Sequence, residues 1–258
     1  RVLRLFGNDK VKKVFPTVGA EQEYFLIDRA VYEKRIDLMI CGRTLYGARP
    51  AKGQELEDHY YGAIKQRVAE FMKELDEELW KLGVYAKTKH NEVAPAQHEL
   101  ACVHVSVNTA SDHNQLTMEL MKTIANRHGL VCLLHEKPFA KVNGSGKHNN
   151  WSLATDTGEN LFEAGDTPRE NAQFLLFLLS VIKAVDEYPE LLRISVASAG
   201  NDHRLGGNEA PPAIISIYLG EELERILDCI ENGKPYSAAK KSELKIGVTV
   251  LPPIRKDS

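Results

Sequence analysis

The sequence predicts an α+β fold in which antiparallel strands alternate with helices. Three observations carry this. Residues 84–93 and 98–107 read as strands on either side of Ala94-Pro95-Ala96-Gln97, a turn short enough for a hairpin, and hairpin-joined strands are antiparallel. Residues 56–82 place Tyr60, Ile64, Val68, Phe71, Leu75 and Leu79 at three- and four-residue steps, the period of an amphipathic helix. The residues able to carry chemistry fall at strand ends and in loops, which suits α+β better than a doubly wound parallel sheet.

The elements follow in order. Val14–Asp28 reads as a strand ending in an apolar stretch. Residues 29–54 read as a long irregular insertion with scattered Gly, Pro and Arg, a surface loop or lid, or a segment contacting a partner or another subunit. The helix over 56–82 ends at Gly83, a suitable C-cap. In the second hairpin strand Glu99, Ala101, Val103, Val105 and Val107 share a face by period-two alternation. Ser111 reads as the N-cap of a helix over 112–128 that stops at Gly129. Residues 130–135 form a short apolar strand, and 137–150 a loop with Pro138, Gly144 and Gly146. Thr167-Pro168-Arg169-Glu170 is a capping box opening a long, buried helix through Val185. A glycine-rich loop over 199–212, a strand over 214–219 and a helix over Glu221–Glu231 complete the reading.

Composition excludes several function classes. The 258 residues carry 33 Lys+Arg and 36 Asp+Glu, a formal charge of −3, unlike the basic footprint of a nucleic-acid binder. A hydrophobic content of 43% supports a packed core, and no apolar run reaches the length of a membrane span. No signal peptide is read at the start. Cys41, Cys102, Cys132 and Cys229 are widely spaced, so structural zinc and a disulfide framework are disfavoured; buried, reduced thiols in a cytoplasmic protein are expected. The chain starts at Arg1 and closes on no obvious element, so a piece of a longer protein is expected.

Four segments concentrate chemical potential. Glu21 and Glu23 share one face of a strand, where two carboxylates need a cation, although such a pair taken alone more often marks a solvated face. Glu92 and Glu99 bracket the hairpin turn, and Glu99 shares its face with four apolar residues, so it points inward and requires a partner or metal. Residues 143–152, Asn-Gly-Ser-Gly-Lys-His-Asn-Asn-Trp-Ser, let a ligand approach the backbone and offer His148 as a ligand; the spacing is not that of a P-loop. Four glutamates and a histidine suit a hard cation, Mg²⁺ or Mn²⁺. Arg204 to Pro211 supplies a cation and, in Glu209, an anion on a loop, although composition alone favours a plain surface loop. Carboxylate-held metal with a loop arginine is the equipment of phosphoryl transfer.

In this order the four segments resemble the motifs of glutamine synthetase, specifically its large type III form. The Glu21/Glu23 strand is similar to the family's Glu-x-Glu motif and residues 90–99 to its second acidic motif. Lys137-Pro138 through Ser152 and Arg204 through Pro211 match its Lys-Pro…Asn-Gly-Ser-Gly-x-His and Arg…Glu-Ala-Pro motifs. The resemblance implies a catalytic domain with a curved antiparallel sheet flanked by helices over residues 1–258. ATP would phosphorylate the γ-carboxylate of glutamate, and ammonia would displace phosphate. It implies one metal on Glu23, Glu92 and Glu99 and a second on Glu21 and His148. Asn143, Gly144 and Arg204 would bind glutamate, and His90, Asn150 and Ser152 would contact ATP. Glu209 would close the site and could accept a proton from ammonium.

There are departures. The shorter bacterial form has a second histidine where this chain has Asn150, and its loop between Arg204 and Glu209 is one residue longer. The family's small N-terminal domain and last motif are absent from the sequence read. The resemblance therefore implies a ring-forming homo-oligomer of a longer protein, with this piece alone inactive or nearly so. The competing readings are a related γ-glutamyl–amine or glutamate–cysteine ligase, a non-catalytic homologue of the family, and a plain globular domain with fortuitous acidic clusters.

Overall fold

A computed structural model describes residues 1–48, 51–202, 219–236 and 255–257 of the chain. Its helices are α1 (Val2–Leu5), α2 (Arg29–Tyr32), α3 (Ile36–Cys41), α4 (Gln66–Lys81), α5 (Val107–Arg127), α6 (Ala172–Glu187), α7 (Pro189–Ile194), α8 (Ala199–Asp202) and α9 (Glu221–Glu231). Its strands are β1 (Val14–Asp28), β2 (Ala86–Asn91), β3 (Gln97–Cys102), β4 (Val105–Ser106), β5 (Leu130–Leu133), β6 (Lys147–Thr155) and β7 (Arg255–Asp257).

The described strands make one antiparallel sheet in the order β2-β3-β1-β6-β7, with β4 and β5 also paired to β1. β1 is long enough to serve two partners along each edge. One edge takes β4 at Thr17–Val18 positions and then β3 from Glu21 to Phe25. The other takes β6 from Val14 to Gln22, then β5 from Phe25 to Asp28. Between these two partners the Glu23 amide donates to the Gly146 carbonyl at 3.0 Å, so the ladder stays satisfied across the change.

Period-two alternation then gives the sheet two chemically different faces. Tyr24, Leu26 and Leu100 point to one side and meet Val68, Phe71, Met72, Leu75 and Leu79 of α4 and Met121, Ile124 and Ala125 of α5. This is the main core, and most of its side chains are fully buried. Glu21, Glu23 and Glu99 therefore point to the other side. There a second, smaller apolar cluster of Phe25, Leu38, Ala94 and Leu133 closes one end of the charged face.

Among the described residues the expected elements are present, with shifted limits that have physical causes. α4 starts at Gln66, ten residues after the periodic pattern begins. The carbonyls of His59 and Gly62 accept from the Asn91 side chain at 3.2 and 3.0 Å, and Leu56 and Glu57 adopt φ of 55° and 54°. That backbone is committed to the end of β2 and cannot run as helix. The second hairpin strand is split into β3 and β4, and Ser106 caps α5, so Ser111 lies inside the helix. Asn171, not Thr167, caps α6 by accepting from the Phe174 amide at 3.0 Å. α6 is not buried: Phe174 and Leu178 are its buried residues, while Leu176 and Leu179 are 43% and 47% exposed. The insertion over 29–54 contains α2 and α3. The loop expected over 137–150 ends at Gly146, and His148, Asn150 and Ser152 lie on β6. Of the four free cysteines only Cys132 is buried; Cys41 is exposed. The strand expected over 214–219 and most of the glycine-rich loop lie outside the described residues.

Candidate metal centre

Three neighbouring strands and β6 bring the acidic motifs to one place. β1 and β3 pair Glu23 with Glu99, β2 and β3 pair His90 with Glu99, and β1 and β6 pair Glu21 with His148. Directly opposed residues of an antiparallel pair have side chains within contact reach. Each pairing therefore converts a sequence separation of tens of residues into neighbouring functional groups.

Four of the six residues are buried: Glu23 and His148 are 1% exposed, and Glu92 and Glu99 are also buried, while Glu21 and His90 are half-buried at the edge. His148 Nδ1 lies 3.2 Å from Glu21 Oε2 and 3.9 Å from Glu99 Oε2, and its Nε2 is 4.0 Å from Glu23 Oε1. His90 Nε2 lies 3.0 Å from Glu92 Oε1 and 3.5 Å from Glu99 Oε1. Glu23 Oε2 accepts from the Gly146 amide at 2.7 Å and from the Gln97 side chain at 3.3 Å. The Asn150 amide donates to Glu21 Oε1 at 2.6 Å.

The electrostatics follow from this crowding. The Glu99 carboxyl is pushed up to about 7 by burial and then by the Glu21 and Glu92 carboxylates beside it. The His90 imidazole is raised above its usual value, chiefly by its hydrogen bond to Glu92. Both shifts report unbalanced negative charge on a desolvated face.

Two groups of ligand atoms lie within 4.8 Å of one another: Glu21, Glu99 and His148, and His90, Glu92 and Glu99. Glu99 stands in both. Glu23, expected to share a cation with Glu92 and Glu99, lies opposite Glu99 on β1, and its Oε1 is 4.0 Å from His148 Nε2. His90 faces the carboxylates, and so does Asn150, the second expected ATP contact. Ser152 instead donates to Asn160 Oδ1 beyond the cluster. The donor set is carboxylate oxygen and imidazole nitrogen with no thiolate, which fits a hard divalent cation such as Mg²⁺ or Mn²⁺.

The loop over 136–146 borders this centre. Gly144 passes so close to the Glu136 carbonyl that a Cβ there would sit 2.0 Å from its oxygen, so only glycine fits. The Gly144 carbonyl accepts from Gln97 at 2.9 Å, and Asn143 is held by the Gln54 side chain. Gln97 and Gln54 were not singled out in the sequence. Gln97 lies inside the second acidic motif, which is a usable signal, whereas nothing local marks Gln54. Arg204 and Glu209 lie outside the described residues.

With this geometry in view, comparison with known proteins places the chain. The family "Glutamine synthetase, catalytic domain" matches residues 5–214. The chain belongs to that family. A glutamine synthetase of Butyrivibrio fibrisolvens is 64% identical over 244 residues, covering 95% of this chain and 35% of its own length. A type-3 glutamine synthetase of Dictyostelium discoideum is 55% identical over 251 residues, covering 97% of this chain and 34% of its own. The chain thus spans about a third of the length of these relatives, and the second agrees with the expected type III form. Among solved structures, the cryo-electron microscopy structure of Plasmodium falciparum glutamine synthetase aligns with a TM-score of 0.56 at 17% identity. That alignment covers 74% of this chain and 40% of the other, and it shows the shared fold.

Proposed function

We propose that the protein carrying this chain is an ATP-dependent glutamate–ammonia ligase, and that residues 1–258 form part of its catalytic domain. The observation that carries this reading is the convergence of Glu21, Glu23, Glu92, Glu99, His90 and His148 on one largely buried face of the sheet. So dense a negative site has little use without multivalent cations, and multivalent cations are what phosphoryl transfer to a carboxylate requires.

In this reading Glu23, Glu92 and Glu99 hold one cation and Glu21 and His148 a second, with His90 beside the first at 3.0 Å from Glu92. When bound, such cations offset the charge of the transferring phosphoryl group. The residues of the chain position the rest. Gly146 and Gln97 donate to Glu23 and keep that carboxylate aimed at the cluster. Asn143 and Gly144 line the approach of glutamate, whose γ-carboxylate accepts the γ-phosphoryl group of ATP. Ammonia then displaces phosphate from the acyl phosphate. Arg204 contacts the glutamate carboxylate, and Glu209 closes the site and takes a proton from ammonium. Ser152, with Asn150 and His90 at the margin of the cluster, borders the ATP side. The same proposal includes a homo-oligomeric ring in the cytoplasm.

The test is a glutamine-forming assay on the full-length protein with ATP, glutamate, ammonium and Mg²⁺ or Mn²⁺. Glutamine and phosphate should form in equal amounts, and Glu23→Gln should lower turnover by at least about a hundredfold. Turnover with a primary amine or with cysteine, and none with ammonium, would move the protein to another γ-glutamyl ligase class. ATP turnover unaffected by Glu23→Gln would remove the cluster from the chemistry.

A further inference from the structure

The geometry points to Gln54 as a positioning residue for the glutamate-binding loop, and to the insertion over 29–54 as the buttress that holds it there. This rests on the ligase reading above. The side chain of Gln54 meets both ends of one residue: its Oε1 accepts from the Asn143 backbone amide, and its Nε2 donates to Asn143 Oδ1 at 3.1 Å. Backbone and side chain of Asn143 are therefore fixed together, which sets the orientation of its amide. The next residue is pinned from the opposite side, because the Gly144 carbonyl accepts from Gln97, which also donates to Glu23. Gln54 and Gln97 thus bracket the Asn143–Gly144 peptide and tie it to the carboxylate cluster.

The insertion is built to keep Gln54 in place. Leu38 of α3 is 3% exposed and packs with Phe25, Ala94 and Leu133, against which Phe139 and Val142 of the loop also rest. The Thr44 amide and hydroxyl both donate to the Pro138 carbonyl, at 2.9 and 3.2 Å. Arg35 holds the buried Asp37 through two nitrogens at 3.0 and 2.7 Å, and Asp37 accepts from the Leu45 amide at 2.9 Å. The loop is gripped near its start by Thr44, along its apolar side by Leu38 and near its end by Gln54. A solvated lid would show none of these anchors.

The experiment uses the full-length protein with Gln54→Glu and Gln54→Ala. The first keeps an acceptor for the Asn143 amide but loses the donor to Asn143 Oδ1; the second loses both. Each should raise KM for glutamate by about three- to tenfold, the cost of one or two hydrogen bonds, with the larger effect in Gln54→Ala. KM for ATP and kcat should stay within about twofold, and the thermal midpoint should be unchanged. Hydrogen exchange of the ligand-free protein supplies a second readout, in which residues 137–146 should lose protection in Gln54→Ala while β1 keeps it. An unchanged KM for glutamate in an active protein would overturn the proposal, as would equal rises in both KM values with a lowered thermal midpoint. If the parent does not turn over glutamate at all, the ligase reading fails, and the exchange experiment decides alone. Lost protection confined to 137–146 then keeps Gln54 as the loop's anchor, and unchanged protection removes it.

Discussion

His98 and Glu99 are adjacent on β3, point to opposite faces and respond oppositely to pH. His98 is buried behind the hairpin, its Nδ1 is 3.0 Å from Asn91 Oδ1, and its imidazole is pushed down to about 3, chiefly by burial. Because the Asn91 amide nitrogen donates to His59 and Gly62, its oxygen faces His98, which assigns the proton to Nδ1. The unfolded chain takes up a proton near pH 6.5 and the folded one does not until about 3. The stability His98 contributes is therefore complete above about pH 6.5 and is lost as pH falls toward 3. Glu99, raised to about 7, works the other way: its contribution is present below about 4.5 and is lost as pH rises through 7. A comparison with a variant isolates each. Between pH 7.5 and pH 5, urea unfolding should show His98→Gln losing about 2 kcal/mol less stability than the parent. An equal loss in both proteins would mean that His98 is protonated when folded. At pH 8 without metal, Glu99→Gln should be about 1–3 kcal/mol more stable than the parent, since it removes a desolvated charge among like charges. A less stable variant would show that the carboxylate is well paired before any cation arrives.

The hairpin shows which elements can be read from local sequence and which cannot. Ala94-Pro95-Ala96-Gln97 is a tight turn in the structure as well, closed by the Gln97 amide donating to the Ala94 carbonyl at 3.0 Å. Proline at the second position and φ of 64° at Ala96 make it a type II turn, whose third position favours glycine. Ala96→Gly should therefore stabilise the protein by about 1 kcal/mol, read as a raised unfolding midpoint with an unchanged denaturant slope. A fall in stability would mean that the Ala96 methyl packs better than the strain costs. β1 and this turn were legible because their signals are local: alternation, Pro and a short spacer. The starts of α4 and α6 were not legible, because each is decided by a side chain elsewhere. Asn91 claims the backbone before α4, and Asn171 outcompetes the capping box at 167–170 for α6. The insertion over 29–54 was opaque for the same reason. Gln54 meets a partner 89 residues away, and no periodicity in its own segment reports that.

At the scale of the molecule, the sheet spends one face on stability and the other on charge. Tyr24, Leu26 and Leu100 hold α4 and α5 against it, while Glu21, Glu23 and Glu99, one residue out of phase, meet His90, Glu92 and His148. The residues of the charged face were legible in three short motifs, 21–23, 90–99 and 143–152, while the fourth, Arg204 to Pro211, lies outside the described residues. Their convergence was not, because it depends on the pairing of β3 with β1 and β2 and of β1 with β6, which sequence spacing does not reveal. This division couples the charged face to the whole fold. Repulsion among the carboxylates acts on β1, the strand that pairs with β3, β4, β5 and β6, so it weakens the structure at its centre. A cation that binds the folded face and not the unfolded chain must then stabilise every element attached to β1. At a free concentration one hundred times its dissociation constant, Mn²⁺ should add about 2.7 kcal/mol to the unfolding free energy. Calorimetric titration of the parent with Mn²⁺ should saturate, and its thermal midpoint should rise with concentration. Glu92→Gln, which takes one ligand from the group containing His90 and Glu99, should weaken both responses while leaving the midpoint without metal at or above that of the parent. If the variant binds Mn²⁺ as the parent does, the cation sits elsewhere. If neither protein binds, the six residues do not hold a cation by themselves.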